Sequence, residues 1–190
     1  IIDKNVITST KHLLKDSRTI AISSGTKSLL ETYGIWNNIK KYAQPIKNIK
    51  VVNRASHSRI LFENENYSNP MGYIIENAVI KKILLKKIVK QNNIKLIEGT
   101  EVKKIFYNKN HILVKTNNNI IKSKILIAAD GKNSFIKNVC NISSYEIKYN
   151  QSALAINFEH SISHKNTAYE IFLPNGPLAT LPMINSSNKN

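Results

Sequence analysis

Cysteine is almost absent from this chain of 190 residues. Cys140 stands alone, which excludes an internal disulfide framework and a cysteine zinc site, and it reads as a small apolar residue in a packed region. Glycine is scarce and scattered. The six glycines never form Gly-x-Gly-x-x-Gly, the loop that lets a dinucleotide's diphosphate approach a helix N-terminus. No apolar run approaches the ~20 residues that a membrane-spanning helix needs. No Gly-x-Ser-x-Gly elbow or nucleophile–base set is present. His57, His111, His160 and His164 lack metal-ligand spacing with acids or cysteine, so no metal site is expected. No signal peptide is visible, and the chain opens on Ile1, which places its expected start further upstream.

Acidic residues are also few, 12 against 28 basic ones, for a net charge of +16. Such a balance would ordinarily point to nucleic acid or an anionic membrane. Here the basic residues are nearly all lysine, with arginine only at 18, 54 and 59, and they are interleaved with Asn and Ile throughout. An AT-rich coding sequence yields that mixture without selection for a partner. Nucleic-acid sites favour arginine with interleaved aromatics, so no nucleic-acid partner is expected. Rest on anionic lipid remains compatible with the charge. Hydrophobic content of 42% is ordinary for a globular protein, and the length suits one domain or somewhat more.

The chain reads as alternating strands and helices. Ile1-Ile2-Asp3 reads as the end of a strand. The apolar spacing from Thr19 to Trp36 is helical, with Leu29, Leu30, Tyr33 and Trp36 on one side and Gly34 near the end. Residues 46–61 alternate as one or two strands. Asn69 to Gly72 is a turn and Tyr73-Ile74-Ile75 a short strand. Glu76 to Gln91 repeats apolar residues at three and four positions, as an amphipathic helix does. Three strands follow, at 94–97, 102–107 and 111–116, the last two joined by Asn108-Lys109-Asn110. Residues 153–159 and 168–173 read as strands of a second sheet, with a turn at Pro174-Asn175-Gly176-Pro177. The polar tail from Asn185 is expected to fray.

The most informative stretch is residues 124–137. Ile125 to Ala129 is continuously apolar, as in a parallel strand covered on both faces. Asp130-Gly131 then turns the chain, since Gly131 tolerates backbone angles that other residues avoid. Ser134 is placed to cap the helix that follows. Taken alone, the Asp-Gly is compatible with a plain turn. A strand, a tight turn and a helix start also make a natural place for a dinucleotide's phosphates.

The whole stretch resembles the second nucleotide-binding motif of flavin-dependent aromatic hydroxylases, an "ADG-x-x-S" turn after a strand. Three further segments agree in order and spacing. Asp16-x-Arg18-x-x-Ala21-x-Ser23-x-Gly25 with "LLETYGIW" at 29–36 is one, and "GYIIEN" at 72–77 is another. The third comprises "YNQSALAINFEH" at 149–160 and "FLPNGPLATLPM" at 172–183. Together they resemble the FAD-dependent monooxygenases that hydroxylate a polyprenyl phenol in ubiquinone biosynthesis, over essentially the whole chain.

That resemblance implies an α/β fold. It would comprise a partial Rossmann-like FAD-binding domain of the p-hydroxybenzoate-hydroxylase type and part of a mixed β-sheet substrate domain. Residues 1–44 and 76–144 would form the first, and 45–75 and 145–190 the second. It implies FAD as cofactor, NAD(P)H as reductant, and O2 and a polyprenyl phenol as substrates. The location would be cytoplasmic, with peripheral contact to the inner membrane or a ubiquinone-biosynthesis complex. Asp3, 15 positions before Arg18, matches the acid that accepts from the adenosine ribose hydroxyls. Arg18 matches the arginine on the FAD diphosphate and flavin edge, a task suited to a planar, permanently charged fork. Glu76, with Asn77 as the other candidate, falls near the flavin or ribityl chain, or else caps a helix. Val102 would touch adenine through its backbone, and Asp130 and Gly131 would line the cofactor. Lys137 stands where many relatives have arginine. No side chain here needs to act as nucleophile, acid or base, so no catalytic residue is expected.

By family spacing the glycine-rich loop would lie roughly thirty residues before Asp3. The Gly-Asp motif that grips the ribityl chain from the other side is absent as well. The expectation is therefore a central piece of a longer hydroxylase. An inactive remnant or non-catalytic module of a split gene is a second reading, and a basic binding protein a third, resting on charge alone.

Overall fold

The computed structural model describes residues 1–8, 16–63 and 69–184. In chain order the elements are β1 (Thr19–Ser23), α1 (Ser24–Thr32), α2 (Trp36–Ile39), a 3-10 turn (Lys40–Tyr42), β2 (Gln44–Ile46), β3 (Asn48–Asn53) and β4 (Ser58–Glu63). Then come β5 (Gly72–Glu76), α3 (Asn77–Val89), β6 (Val102–Tyr107), β7 (Ile112–Thr116), β8 (Ile120–Ser123), α4 (Phe135–Val139), β9 (Thr167–Leu173) and β10 (Gly176–Thr180). The chain divides into two compact units. One comprises residues 1–10 and 88–154, the other residues 11–87 and 155–190.

The larger unit is organised by β5, the central strand of an antiparallel sheet in the order β1-β5-β2. Successive strand side chains point to opposite faces, and both faces of β5 are covered. Ile75 packs with Ile22, Trp36, Ile39 and Ala43, against which Val79, Ile80 and Ile83 of α3 also lie. Ile74 faces the other way, with Ile46 and Ala168. This two-sided burial is why Tyr73-Ile74-Ile75 reads as continuously apolar. Trp36 meets Tyr73 edge-on at 4.7 Å between ring centroids. Gly72 sits opposite both Ser23 and Ile46, and a β-carbon there would stand 2.9 Å from the Ile22 carbonyl oxygen. The three strands can close together only because that position is glycine.

A second sheet in the same unit runs β10-β9-β3-β4, with β3 and β9 parallel and the other pairs antiparallel. It joins strands more than a hundred positions apart in sequence, Asn48 lying opposite Thr167. The smaller unit holds the meander β6-β7-β8, a single parallel bridge between Ile2 and Ile97, and α4, which lies against β6. Its hairpin turn forms at Asn108-Lys109-Asn110. Asn108 Oδ1 accepts the Asn110 and His111 amides there, the local bonding that suits Asn to turns. Cys140 is half-buried.

Five expectations fail. Thr19–Ser23 is a strand, not the first turns of a helix. Its β-branched residues pair with β5 in register Thr19 to Glu76, and Ile22 enters the core. Helix starts only at Ser24, where Ser23 Oγ accepts the Thr26 amide. Residues 1–3 and 94–97, each expected as a strand, meet in one bridge instead. Residues 125–129 and 153–159 are not strands either: neither pairs with any described strand. Ile125 and Ile127 are 76% and 81% exposed. A wholly apolar run holds as a strand only when neighbours cover it, and among the described residues no strand pairs with this one.

Candidate functional site

In the larger unit, Arg18 immediately precedes β1, and Glu76 ends the strand that β1 pairs with. The register sets Thr19 opposite Glu76, and the Asn77 amide donates to the Arg18 carbonyl at 2.9 Å. The sheet thus brings Arg18, Glu76 and Asn77 to one end of the paired strands. The preceding carbonyl, Ser17, accepts from Asn157 Nδ2 at 2.6 Å. Glu76 also lines a small, largely apolar cleft with Tyr42, Ile75, Val79 and Met183.

The Arg18 guanidinium is held by Asp16. Nε donates to Oδ1 at 2.8 Å and Nη2 to Oδ2 at 3.1 Å, the two-point geometry a planar fork gives with a carboxylate. Lys81 of α3 donates to the same Oδ2 at 2.5 Å. The hydrogen bond from Arg18, followed by that from Lys81, holds the Asp16 carboxyl well below the usual carboxylate range. Asp16 in turn raises the Arg18 pKa. The sequence reading found Arg18 but missed this trio. The Asp16-x-Arg18 spacing was visible, whereas nothing distinguished Lys81 from the other lysines.

The smaller unit carries Asp3, Val102, Asp130 and Gly131. Asp3 lies beside the Ile2–Ile97 bridge. Its amide donates to the Ile97 carbonyl at 3.0 Å, its carbonyl accepts the Thr100 amide at 2.9 Å, and its Oδ1 accepts the Asn5 amide at 2.8 Å. Val102 opens β6 two residues beyond Thr100. Thr8, at the end of the same N-terminal stretch, donates to Glu98 through its amide and hydroxyl, which holds the Glu98 carboxyl low.

Asp130 turns onto its own helix. Ser134 Oγ donates to Oδ1 at 2.5 Å, the Ile136 amide donates to Oδ2 at 3.1 Å, and the Lys137 amide closes on Ser134 Oγ at 3.0 Å. The Ser134 hydrogen bond chiefly, opposed by burial and helped by the Ile136 amide, lowers the Asp130 pKa. The expected Ser134 cap is present, and Asp130 is a second one. Gly131 has φ +88°, which favours glycine, and a β-carbon built on it would meet nothing within 4 Å. A ligand can therefore approach the Gly131 backbone, whereas the Asp130 carboxylate is already engaged.

Two features, one in each unit, are open to an approaching group. Arg18 keeps guanidinium N–H groups that Asp16 does not use, and Gly131 leaves room for close approach.

The sequence matches the FAD binding domain family over residues 2–190, and the chain belongs to that family. Among its relatives are the ubiquinone hydroxylase UbiL of Rhodospirillum rubrum, 28% identical over 169 residues, and the zebrafish ubiquinone biosynthesis monooxygenase COQ6, 31% identical over 179 residues. Each match covers 88% of this chain, and the chain spans 39% and 37% of the two relatives respectively. Among solved structures, the p-nitrophenol 4-monooxygenase PnpA of Pseudomonas putida aligns with a TM-score of 0.65 at 13% identity, over 78% of this chain and 38% of that one. PqsL of Pseudomonas aeruginosa, described as a probable FAD-dependent monooxygenase, aligns at 0.63 and 12% identity, over 78% of this chain and 40% of that one. The fold is that of a partial FAD-binding domain of this α/β class joined to part of a mixed sheet. Among the described residues no helix is long and apolar enough to cross a membrane.

Proposed function

We propose that this chain is part of an FAD-dependent monooxygenase that hydroxylates the ring of a polyprenyl phenol in ubiquinone biosynthesis, with NAD(P)H as reductant. The observation that carries this reading is similarity to ubiquinone hydroxylases across 88% of the chain, together with membership of the FAD-binding family. FAD, when bound, supplies the activation of O2; the chain's residues bind and orient it. Arg18 holds the diphosphate, Asp3 accepts from the ribose hydroxyls, and Val102 meets adenine through its backbone. Glu76 lies by the ribityl chain or flavin, while Asp130 fixes the turn whose Gly131 backbone lies against the cofactor. Residues 1–44 and 76–144 are the cofactor part, and 45–75 and 145–190 the substrate part. The sheet that joins β3 and β4 to β9 and β10 supports the second assignment. Contact with a membrane or a biosynthetic complex is peripheral and cytoplasmic in this reading, and the +16 charge suits an anionic lipid surface.

The test is to express the native gene in a bacterium that lacks its own ubiquinone hydroxylases, and to measure ubiquinone and protein-bound flavin. Restored ubiquinone with copurifying FAD is expected. In Arg18→Ala, loss of a charge-assisted contact worth about 1.5–3 kcal/mol should weaken flavin retention roughly tenfold or more. A folded product that binds no flavin and restores no ubiquinone refutes the proposal and leaves the remnant reading.

A further inference from the structure

We infer that Asp16 and Lys81 are positioning residues for Arg18. Asp16 grips one edge of the guanidinium so that the other is presented to a diphosphate, and Lys81 keeps the group cationic. This rests on the reading of Arg18 as a diphosphate contact.

A guanidinium carries five N–H donors in a fixed plane. Asp16 takes the Nε hydrogen and one from Nη2. The second Nη2 hydrogen and one of the two on Nη1 remain side by side, on the edge that can bind a phosphate at two points. Exposure follows the same division. The Asp16 side chain is 11% exposed and that of Arg18 68%, so the acceptor is walled in while the cation faces outward. An ion pair between two fully exposed partners would be loosely held. This one is anchored by the Asn77 amide on the Arg18 carbonyl and by Asn157 on the Ser17 carbonyl. Lys81 bears on the charge. With Asp16 alone, Arg18 would be neutralised; with Lys81 the trio carries a net single positive charge, which an anion can feel.

The reasoning makes a prediction opposite to that of simple electrostatics. Asp16→Asn removes a negative charge, and Coulomb attraction alone would then tighten an anion. Loss of the grip frees the guanidinium, which must be ordered again on binding. The full chain is titrated with inorganic pyrophosphate while the arginine Nε–H signals are followed by NMR. Three arginines make assignment simple, with Arg18→Lys identifying the signal. In wild type the Arg18 Nε–H should exchange with water more slowly than those of Arg54 and Arg59. In Asp16→Asn it should join them, and at about 0.5 M salt, where Coulomb terms are screened, pyrophosphate should bind roughly 3- to 10-fold more weakly. Asp16→Glu should restore part of the slow exchange. Lys81→Met should weaken pyrophosphate by a factor that shrinks with salt, and leave the Arg18 signal slow. The amide dispersion of β1 and β5 reports that each variant is folded.

Pyrophosphate binding tightened at every salt concentration, an Arg18 signal unmoved by Asp16→Asn, or no pyrophosphate binding by wild type at tens of millimolar would each overturn the inference. If Arg18→Ala retains FAD normally while Asp16→Asn still frees Arg18 and weakens pyrophosphate, the flavin role of Arg18 fails and the positioning device stands.

Discussion

Replacing Asp130 by Ala separates what this residue does for the turn from what it does for a ligand. Its two oxygens take the Ser134 hydroxyl and the Ile136 amide, and the Ser134 oxygen takes the Lys137 amide. All three bonds close the first turn of a five-residue helix, far too short to stand on propensity alone. Loss of an N-cap side chain costs about 0.5–2 kcal/mol. At 1.4 kcal/mol per tenfold, the Ile136 and Lys137 amides should exchange with solvent roughly 2- to 30-fold faster in Asp130→Ala. Asp130→Asn keeps an acceptor oxygen and should fall near the lower limit. Hydrogen exchange read by NMR measures this, with the amide of buried Val114 on β7 as the unaffected reference. The pH dependence has a definite sign. The Asp130 pKa is lowered in the fold, so its contribution is complete above the ordinary carboxylate pKa of about 3.9 and is lost as pH falls through the folded value. Wild type and Asp130→Ala should therefore converge in acid. Unchanged exchange at Ile136 in Asp130→Ala would refute the reasoning, because the carboxylate would then be free to meet a cofactor directly.

Two other perturbations follow from the larger unit. Gly72→Ala drives a β-carbon to 2.9 Å from a backbone oxygen that cannot move without displacing β1. It should destabilise the protein by about 1–3 kcal/mol in a denaturant melt, and an unchanged midpoint would show that the sheet is looser than described. The Asp16 carboxyl, lowered by Arg18 and then Lys81, should stay ionised in a carbon-detected NMR titration below pH 4, where an ordinary aspartate is largely protonated. The stability it lends is present above that range and lost as pH falls through the lowered pKa. An ordinary titration midpoint would mean that the trio does not form in solution.

How far the sequence was legible depended on whether the deciding interaction was local. The hairpin at Asn108-Lys109-Asn110 and the Ser134 cap are set by side chains within a few residues of their partners, and both were readable. So was β5, because a strand buried on both faces leaves a continuous apolar run. Thr19–Ser23 was not: its apolar spacing fits a helix face, and only pairing with β5, fifty-odd positions away, makes it a strand. The candidate site divides the same way. Arg18 and Gly131 stood out by scarcity and by turn chemistry. The Lys81 contact, 65 positions from Asp16, is made by one lysine among many and exists only in three dimensions.

The run Ile125–Ala129 shows the limit of pattern reading most clearly. Its composition is that of a strand covered on both faces, yet Ile125 and Ile127 stand in solvent. Composition specifies what an element needs around it, not whether the need is met. The turn beyond it is formed nonetheless, since Asp130, Ser134 and Ile136 are bonded to one another and require nothing from the run. The Gly131 turn can therefore hold while residues 125–129 lack a partner among the described strands. The Arg18 site is built the other way: it depends on the pairing of β1 with β5 and on Lys81, both distant in sequence, so its geometry stands or falls with the larger unit.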